Sequence, residues 1–167
     1  MAVDRLTQLA RRLQAACVAR NATVGLAESC TGGLVAAALT EIPGSSAYFL
    51  GGVVSYADSA KRDLLDVPSA VLEAHGAVSA QVARAMAEGA RDRFGATFAA
   101  SVTGIAGPDG GTAAKPVGLT YVGVADADGA DVRRHVWPGD RAANRVDSAV
   151  AVLELLLERV GDRAVDA

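Results

Sequence analysis

The segment that decides the fold is residues 23–39, TVGLAESCTGGLVAAAL. Its short apolar start predicts a buried strand over residues 23–28, and its end predicts a helix over about residues 31–41. Ser29, Cys30 and Thr31 therefore lie where a strand turns into a helix N-terminus. Backbone N–H groups are unpaired there and the helix dipole favours negative charge, so the turn suits an oxyanion, a phosphate or a nucleophile. The alternative is that Ser29 or Thr31 only caps the helix.

The remaining apolar patterns predict the other elements of the domain. They indicate a helix over 3–20, a strand over 49–56, short helices from Ser59 and Pro68, a longer helix capped by Ser79, a strand over 97–103, strands over 119–125 and 132–137 joined through Asp128-Gly129, and a last helix from Asp140. We therefore expect an α/β fold: a single three-layer domain over residues 1–167, with a mixed β-sheet flanked by helices.

Composition narrows the class of partner. The 167 residues are 51% hydrophobic and 21% charged with a net charge of −3, which is typical of a globular domain and argues against nucleic acid or an anionic membrane as partner. No apolar run reaches the roughly 18–20 residues of a membrane span, so we expect a cytoplasmic protein. The cysteines Cys17 and Cys30 and the histidines His75 and His135 show no metal-ligand spacing, and no metal is expected.

Three polar segments follow strands: the Ser29 turn, the segment from Tyr56 to Lys61, and the loop from Thr103 to Gly111. Ligand sites of layered α/β domains lie at the carboxyl ends of strands, so we expect the three segments to converge. The loop lacks the lysine of a P-loop and the GxGxxG dinucleotide pattern. The known nucleotide-binding motifs therefore do not identify a ligand.

A serine nucleophile needs a base, and neither histidine follows one of these strands. Lys61 would serve if burial held its amine neutral, and would otherwise be a solvated helix residue. Cys30 competes with Ser29 as nucleophile, because helix N-termini lower thiol pKa values. Arg141 and Arg145, four residues apart in the last helix, would either clamp a phosphate or form a solvated face.

Several motifs in register resemble the CinA C-terminal domain family across about residues 5–160. They are residues 27–33 (AESCTGG), Val54-Ser55-Tyr56 with Lys61, residues 76–79 (GAVS), residues 101–111 (SVTGIAGPDGG) and Gly139-Asp140-Arg141. Members similar to this chain act as nicotinamide-nucleotide amidases, which hydrolyse nicotinamide mononucleotide to nicotinate mononucleotide and ammonia. The resemblance implies a stand-alone amidase, and the acyl transfer that we expect of it needs no metal or organic cofactor.

The resemblance also implies roles for individual residues. Ser29 would be the nucleophile and Lys61 its base, with Tyr56 assisting. The nucleotide would be surrounded by Thr103, by the following loop with Gly104 and Gly107, and by Arg141 and Arg145. For the reaction we expect N–H groups of the turn formed by Cys30, Thr31, Gly32 and Gly33 to receive the oxyanion. The segment 112–116 is poorer in glycine and acidic residues than is typical of the family.

Two other classes of function stay open at this point. One is a non-catalytic nucleotide-binding regulatory module, in which Ser29 and the glycine loop only hold a phosphate. The other is a scaffold whose glycine-rich strands form an oligomer interface, and a homo-oligomer is also compatible with the amidase. The expected partner of the amidase is a small-molecule pyridine nucleotide, and its release of ammonia separates it from both alternatives.

Overall fold

Short apolar strands alternate with helices that carry one apolar stripe, and this pattern builds a layered domain. The computed structural model describes residues 2–162. Within that range the elements are α1 (Ala2–Ala19), β1 (Val24–Glu28), α2 (Leu34–Thr40), a 3-10 turn (Ser45–Ala47), β2 (Phe49–Val54), α3 (Asp58–Leu65), α4 (Ser69–His75), α5 (Ala80–Phe94), β3 (Phe98–Gly104), β4 (Leu119–Asp126), β5 (Gly129–Val136) and α6 (Arg141–Asp162).

The strands form one sheet in the order β2-β1-β3-β4-β5. Strand β1 is parallel to both β2 and β3, whereas β4 and β5 add antiparallel pairs, so the sheet is mixed. At its carboxyl end β1 pairs Glu28 with Val54 of β2 and with Val102 of β3. The carboxyl ends of the three parallel strands therefore meet at one edge of the sheet, with β1 in the middle.

Helices cover both faces of the sheet. On one face α1, α2 and α6 share a large apolar core that includes Leu13, Val35 and Leu153. On the other face α3 and α5 pack through Leu65 and Met86 in a second cluster. None of the helices in residues 2–162 is both long and apolar enough to cross a membrane.

The structure confirms the expected α/β class and the three layers, and corrects some boundaries. Helix α2 begins at Leu34 rather than at residue 31, because Gly32 and Gly33 have φ angles of +61° and +101° that are not helical. The hairpin turn lies one residue earlier than expected, since Gly129 already pairs with Asp126. Ser79 caps α5 as predicted, accepting a hydrogen bond from the Val82 N–H at 3.2 Å.

Gly89 gives a test of the packing between α5 and α3. A Cβ at this position would lie 1.9 Å from the Leu65 carbonyl oxygen. In an open helix Gly→Ala stabilises by up to about 1 kcal/mol, but here we expect overpacking to lower the free energy of unfolding by about 1–3 kcal/mol. The matched control is Gly161→Ala in α6, where a Cβ meets open space and no loss is expected. Urea denaturation measures both, and a Gly89→Ala protein at least as stable as the wild type would contradict this packing.

Candidate functional site

The carboxyl ends of the parallel strands form a cavity of about 220 Å³. The Ser29 N–H donates to the Val102 carbonyl at 3.0 Å, and the Ser55 N–H donates to the Glu28 carbonyl at 2.8 Å. The first bond continues the pairing of β1 with β3 by one residue beyond the end of β1, and the second continues the pairing of β2 with β1 by one residue beyond the end of β2. The wall of the cavity includes Ser29, Cys30, Tyr56, Lys61, Thr103 and Arg141, so the three polar segments converge as expected.

A serine–lysine contact lies at the centre of this cavity. Lys61 is 1% exposed, and its Nζ lies 3.1 Å from the Ser29 Oγ. The same Nζ donates to the backbone carbonyls of Ser55 at 2.7 Å and Tyr56 at 3.2 Å. A neutral amine has two hydrogens and one lone pair, so with the hydrogens on the two carbonyls the lone pair is left for the Ser29 hydroxyl. The geometry matches an amine that accepts the serine proton.

Burial favours the neutral form of this amine. Helix α3 carries Lys61 and Leu65 at i, i+4 spacing on its buried face, while its Arg62 and Asp63 are exposed. Loss of hydration lowers the pKa of Lys61 from 10.5, although Asp58 and Cys30 oppose this shift. The sequence already held a signal for this burial, because Lys61 occupies the apolar stripe of its own helix.

The structure assigns the cap of α2 to Glu28, a residue that the sequence analysis missed. Its buried carboxylate accepts hydrogen bonds from the Thr31 hydroxyl at 2.5 Å and from the N–H groups of Gly33 at 3.1 Å, Val35 at 3.1 Å and Ala36 at 2.8 Å. The hypothesis that Ser29 or Thr31 caps this helix is therefore wrong. An acidic residue a few positions before a predicted helix was the available signal.

These bonds narrow the set of N–H groups that an oxyanion could use. The Gly32 N–H donates to the Ser29 carbonyl at 3.0 Å, and the Gly33 N–H donates to Glu28 at 3.1 Å. Among the hydrogen bonds of residues 2–162, the N–H groups of Cys30 and Thr31 donate to no carbonyl or carboxylate. Of the four N–H groups that we expected to receive an oxyanion, those of Gly32 and Gly33 are therefore already bonded within the turn.

Cys30 is buried and packs against β3 in this arrangement. Burial is the main cause that raises the pKa of its thiol to about 11; its own backbone opposes this rise, the Glu28 carboxylate adds to it, and Lys61 and Arg145 reduce it. A Cβ added to Gly104 would lie 3.1 Å from the Cys30 Sγ, so the thiol lies against the backbone of β3. A thiol that stays protonated at neutral pH is a poor nucleophile. The geometry therefore favours Ser29.

The two arginines of α6 reach the site from different sides. Arg141 lines the cavity and donates to the Gly107 carbonyl at 2.8 Å and to the Tyr56 hydroxyl at 3.4 Å. Arg145 donates instead to the carbonyls of Cys30 at 3.2 Å and Thr31 at 2.9 Å. The structure brings both side chains to the Ser29 region but does not place them side by side as a clamp.

The glycine loop is held by side chains on both sides. The Thr103 hydroxyl donates to the Ala77 carbonyl at 2.9 Å, which fixes the α4–α5 connection against the cavity. Asn144, buried in α6, donates its Nδ2 to the Ala106 carbonyl at 3.0 Å, a contact that no sequence pattern indicated. Gly107 has a φ of +88°, and a Cβ there would lie 2.6 Å from Val117. The backbone of this loop is therefore packed closely against Val117 and is bonded to α6.

Comparison with known proteins identifies the family of the chain. The model of the CinA C-terminal domain matches residues 6–160. The chain belongs to the CinA C-terminal domain family. A "CinA-like protein" of Geotalea uraniireducens is 53% identical over 138 residues, 83% of this chain and 33% of that protein. The chain thus spans about a third of the length of the curated relatives that it matches.

Solved structures of the CinA superfamily share the fold. A competence/damage inducible protein from Agrobacterium tumefaciens superimposes with a TM-score of 0.88 at 44% identity, over 92% of this chain and 94% of that one. A CinA superfamily protein from Klebsiella pneumoniae gives a TM-score of 0.90 at 32% identity, over 94% of this chain and 98% of that one. The CinA fold therefore extends over nearly all of the described residues.

Glu28→Gln tests the role of the buried carboxylate. An amide offers one oxygen where the carboxylate accepts four bonds, and its NH₂ group would face backbone donors. We expect the free energy of unfolding to fall by about 2 kcal/mol or more. Glu41→Gln, an exposed change at the other end of α2, is the matched control and should stay within about 0.5 kcal/mol of the wild type. Equal stabilities of the two variants in urea denaturation would show that the carboxylate is not required.

Proposed function

We propose that this CinA domain hydrolyses the carboxamide of nicotinamide mononucleotide to give nicotinate mononucleotide and ammonia, through an acyl-enzyme on Ser29. The observation that supports this reaction most directly is the buried Lys61 amine, 3.1 Å from the Ser29 Oγ and held by two backbone carbonyls. That arrangement suits acyl transfer by a serine–lysine pair. The resemblance of the motifs to nicotinamide-nucleotide amidases supplies the substrate.

In the first half of the reaction the Ser29 oxygen attacks the carboxamide carbon while its proton passes to the neutral Lys61 amine. The negative charge that develops on the carboxamide oxygen is received by the N–H groups of Cys30 and Thr31. The carbon–nitrogen bond then breaks, and Lys61 returns the proton to the leaving nitrogen. Ammonia departs, and the nicotinoyl group stays on Ser29 as an ester.

In the second half a water molecule attacks the ester and gives its proton to Lys61, which is again neutral. The bond between the carbonyl carbon and the Ser29 oxygen breaks, and Lys61 returns the proton to that oxygen. Nicotinate mononucleotide forms as the acid, loses its proton to solvent and leaves as the carboxylate. Each half-reaction therefore uses Lys61 first as base and then as acid, and the side chain ends in its starting form.

The charge of the cavity fits a substrate with a phosphate. The described residues that line it include the cationic Arg141 and the amine of Lys61, but no Asp or Glu. We place the phosphate near Arg141, whose guanidinium gives charge-assisted hydrogen bonds, and the pyridine ring against the apolar wall of Ala77 and Val78. The cationic ring withdraws electrons from the carboxamide and, as a like charge, favours the neutral form of Lys61. Both effects ease the attack by Ser29.

Ammonia release from nicotinamide mononucleotide tests the proposal directly. We expect turnover by the wild type and its loss, by at least about a thousandfold, in Ser29→Ala, because Ser29 is the hydroxyl that contacts the Lys61 amine. Cys30→Ala keeps its backbone N–H and should retain at least about a tenth of the wild-type rate, since the thiol only packs. An active Ser29→Ala protein together with a dead Cys30→Ala protein would assign the nucleophile to Cys30.

The same assay separates the other functional classes. Binding of the nucleotide without ammonia release would indicate a non-catalytic module, and neither binding nor turnover would indicate a scaffold. Binding is measured by calorimetry on the Ser29→Ala protein, which keeps the cavity but cannot turn the substrate over. Either of these results for the wild type would overturn the amidase.

Lys61→Arg tests whether the amine acts as a base. A guanidinium stays protonated at all accessible pH values, so we expect kcat to fall by about 10²–10⁴-fold, as much as in Lys61→Ala. In the wild type, kcat/KM should rise with pH through a pKa below 10.5, because burial lowers the pKa of Lys61 and only the neutral amine is active. A Lys61→Arg protein with near wild-type kcat would mean that only the charge matters.

A further inference from the structure

We infer that Arg145 is a positioning residue that holds the oxyanion turn behind Ser29, rather than a ligand of the substrate phosphate. This inference rests on the proposed acyl transfer at Ser29. Its basis is the pair of hydrogen bonds from the Arg145 Nε to the Cys30 carbonyl at 3.2 Å and from its Nη2 to the Thr31 carbonyl at 2.9 Å. A half-buried guanidinium thus spans two successive peptide units of the turn.

The geometry of the peptide bond connects these carbonyls to the N–H donors. In a trans peptide the C=O and the following N–H point in opposite directions. Since the Cys30 carbonyl is bonded to Arg145 on α6, the Thr31 N–H is directed away from that helix. The Ser29 carbonyl is held in the same way by the Gly32 N–H at 3.0 Å, which directs the Cys30 N–H. Arg145 therefore controls one of the two N–H groups that are left for the oxyanion.

The rest of the turn cannot fix this orientation by itself. Gly32 and Gly33 both have positive φ angles, and glycine moves between backbone conformations more freely than other residues. Glu28 holds the turn at Gly33 and at the Thr31 hydroxyl but makes no bond to the peptide between Cys30 and Thr31. Among the described residues, Arg145 is the one whose side chain donates to the Cys30 carbonyl, which belongs to this peptide.

The positive charge of Arg145 also acts at the reacting centre. It is among the groups that lower the pKa of the Cys30 thiol, against the dominant effect of burial, so its field is felt at the residue next to Ser29. A fixed cation behind a turn stabilises negative charge that develops in front of it. Arg145 thus acts on the transition state through both the geometry and the charge of the turn.

Arg141 provides the matched comparison, because it lies one helical turn earlier on α6 and lines the cavity itself. We compare Arg145→Lys and Arg141→Lys. Lysine keeps the positive charge, but its single ammonium group cannot donate two hydrogen bonds in the planar geometry of a guanidinium. For ammonia release from nicotinamide mononucleotide, we expect Arg145→Lys to lower kcat by about 10- to 100-fold with KM within about twofold. We expect Arg141→Lys mainly to raise KM, because a phosphate is bound equally in ground and transition states.

A second readout does not depend on the natural substrate. With p-nitrophenyl acetate, the Ser29 oxygen attacks the acetyl carbon, the bond to p-nitrophenolate breaks, and the serine proton passes to Lys61. Acetyl-Ser29 is measured by mass spectrometry and p-nitrophenolate by absorbance. This substrate has no phosphate, so a slower acylation in Arg145→Lys reports on the turn alone. Added guanidinium should restore part of the acylation rate of Arg145→Ala, whereas methylammonium should not.

The outcomes separate this inference from the proposed function. Wild-type acylation without ammonia release from the nucleotide would overturn the amidase, and the acylation rates would then decide the role of Arg145. Wild-type rates of acylation in Arg145→Lys with a raised KM for the nucleotide would overturn the inference and make Arg145 a phosphate ligand. Losses that follow a lowered melting temperature, with no rescue by guanidinium, would also overturn it, as would a wild-type protein whose Ser29 is not acylated.

Discussion

The buried carboxylate of Glu28 is the interaction on which the geometry of the site depends. It is the last residue of β1, and it accepts the N–H groups at the start of α2 together with the Thr31 hydroxyl. Strand end and helix start are thereby joined through one side chain, and the residues between them must form a tight turn. In many α/β domains the helix N-terminus at such a place is left for a ligand. Here the protein's own carboxylate accepts those N–H groups, and the cavity lies beside the turn.

The site contains a buried acidic side chain, Glu28, and a buried basic side chain, Lys61, that do not contact each other. Glu28 and Lys61 are both almost fully buried, yet the carboxylate is surrounded by N–H and O–H donors and the amine contacts two carbonyls and the Ser29 hydroxyl. A direct ion pair between them would hold the amine protonated and remove its use as a base. Because each group has its own hydrogen-bond partners, the Glu28 carboxylate makes no ion pair with the Lys61 amine. This division is what the proposed serine–lysine pair requires of its surroundings.

Most of the fold could be predicted from the sequence, because apolar periodicity determines which face of each element is buried. The convergence of the three polar segments also followed, since parallel strands end at one edge of the sheet. The hydrogen-bond partners of the long polar side chains could not be predicted from the sequence. Arg141 and Arg145 share a face of α6 by spacing, but each guanidinium reaches several ångströms beyond its helix, and the turn or cavity that it meets is set by tertiary packing.

The same limit applies to the residues that were missed. Nothing in the sequence around Asn144 distinguishes a polar group that bonds to the glycine loop from an ordinary helix residue. Glu28 was visible as an acid at a strand end, but its function depends on where α2 begins. That boundary was wrong by about a turn, because the conformations of Gly32 and Gly33 are not encoded in periodicity. Sequence patterns therefore predicted where the site lies but not the hydrogen bonds that Glu28 and Asn144 make within it.

The order of the helices and strands along the chain determines when the contacts of the site can form during synthesis. Ser29 and Lys61 are 32 residues apart, and the elements that join them, β1, β2 and α3, are contained in residues 24–65. The contact between Arg145 and Cys30 spans 115 residues and requires α6. During synthesis from the N-terminus Ser29 and Lys61 are therefore available long before the guanidinium that bonds to the turn beside them. The hydrogen bonds around the Ser29 turn are therefore completed only after all five strands of the sheet have been synthesised.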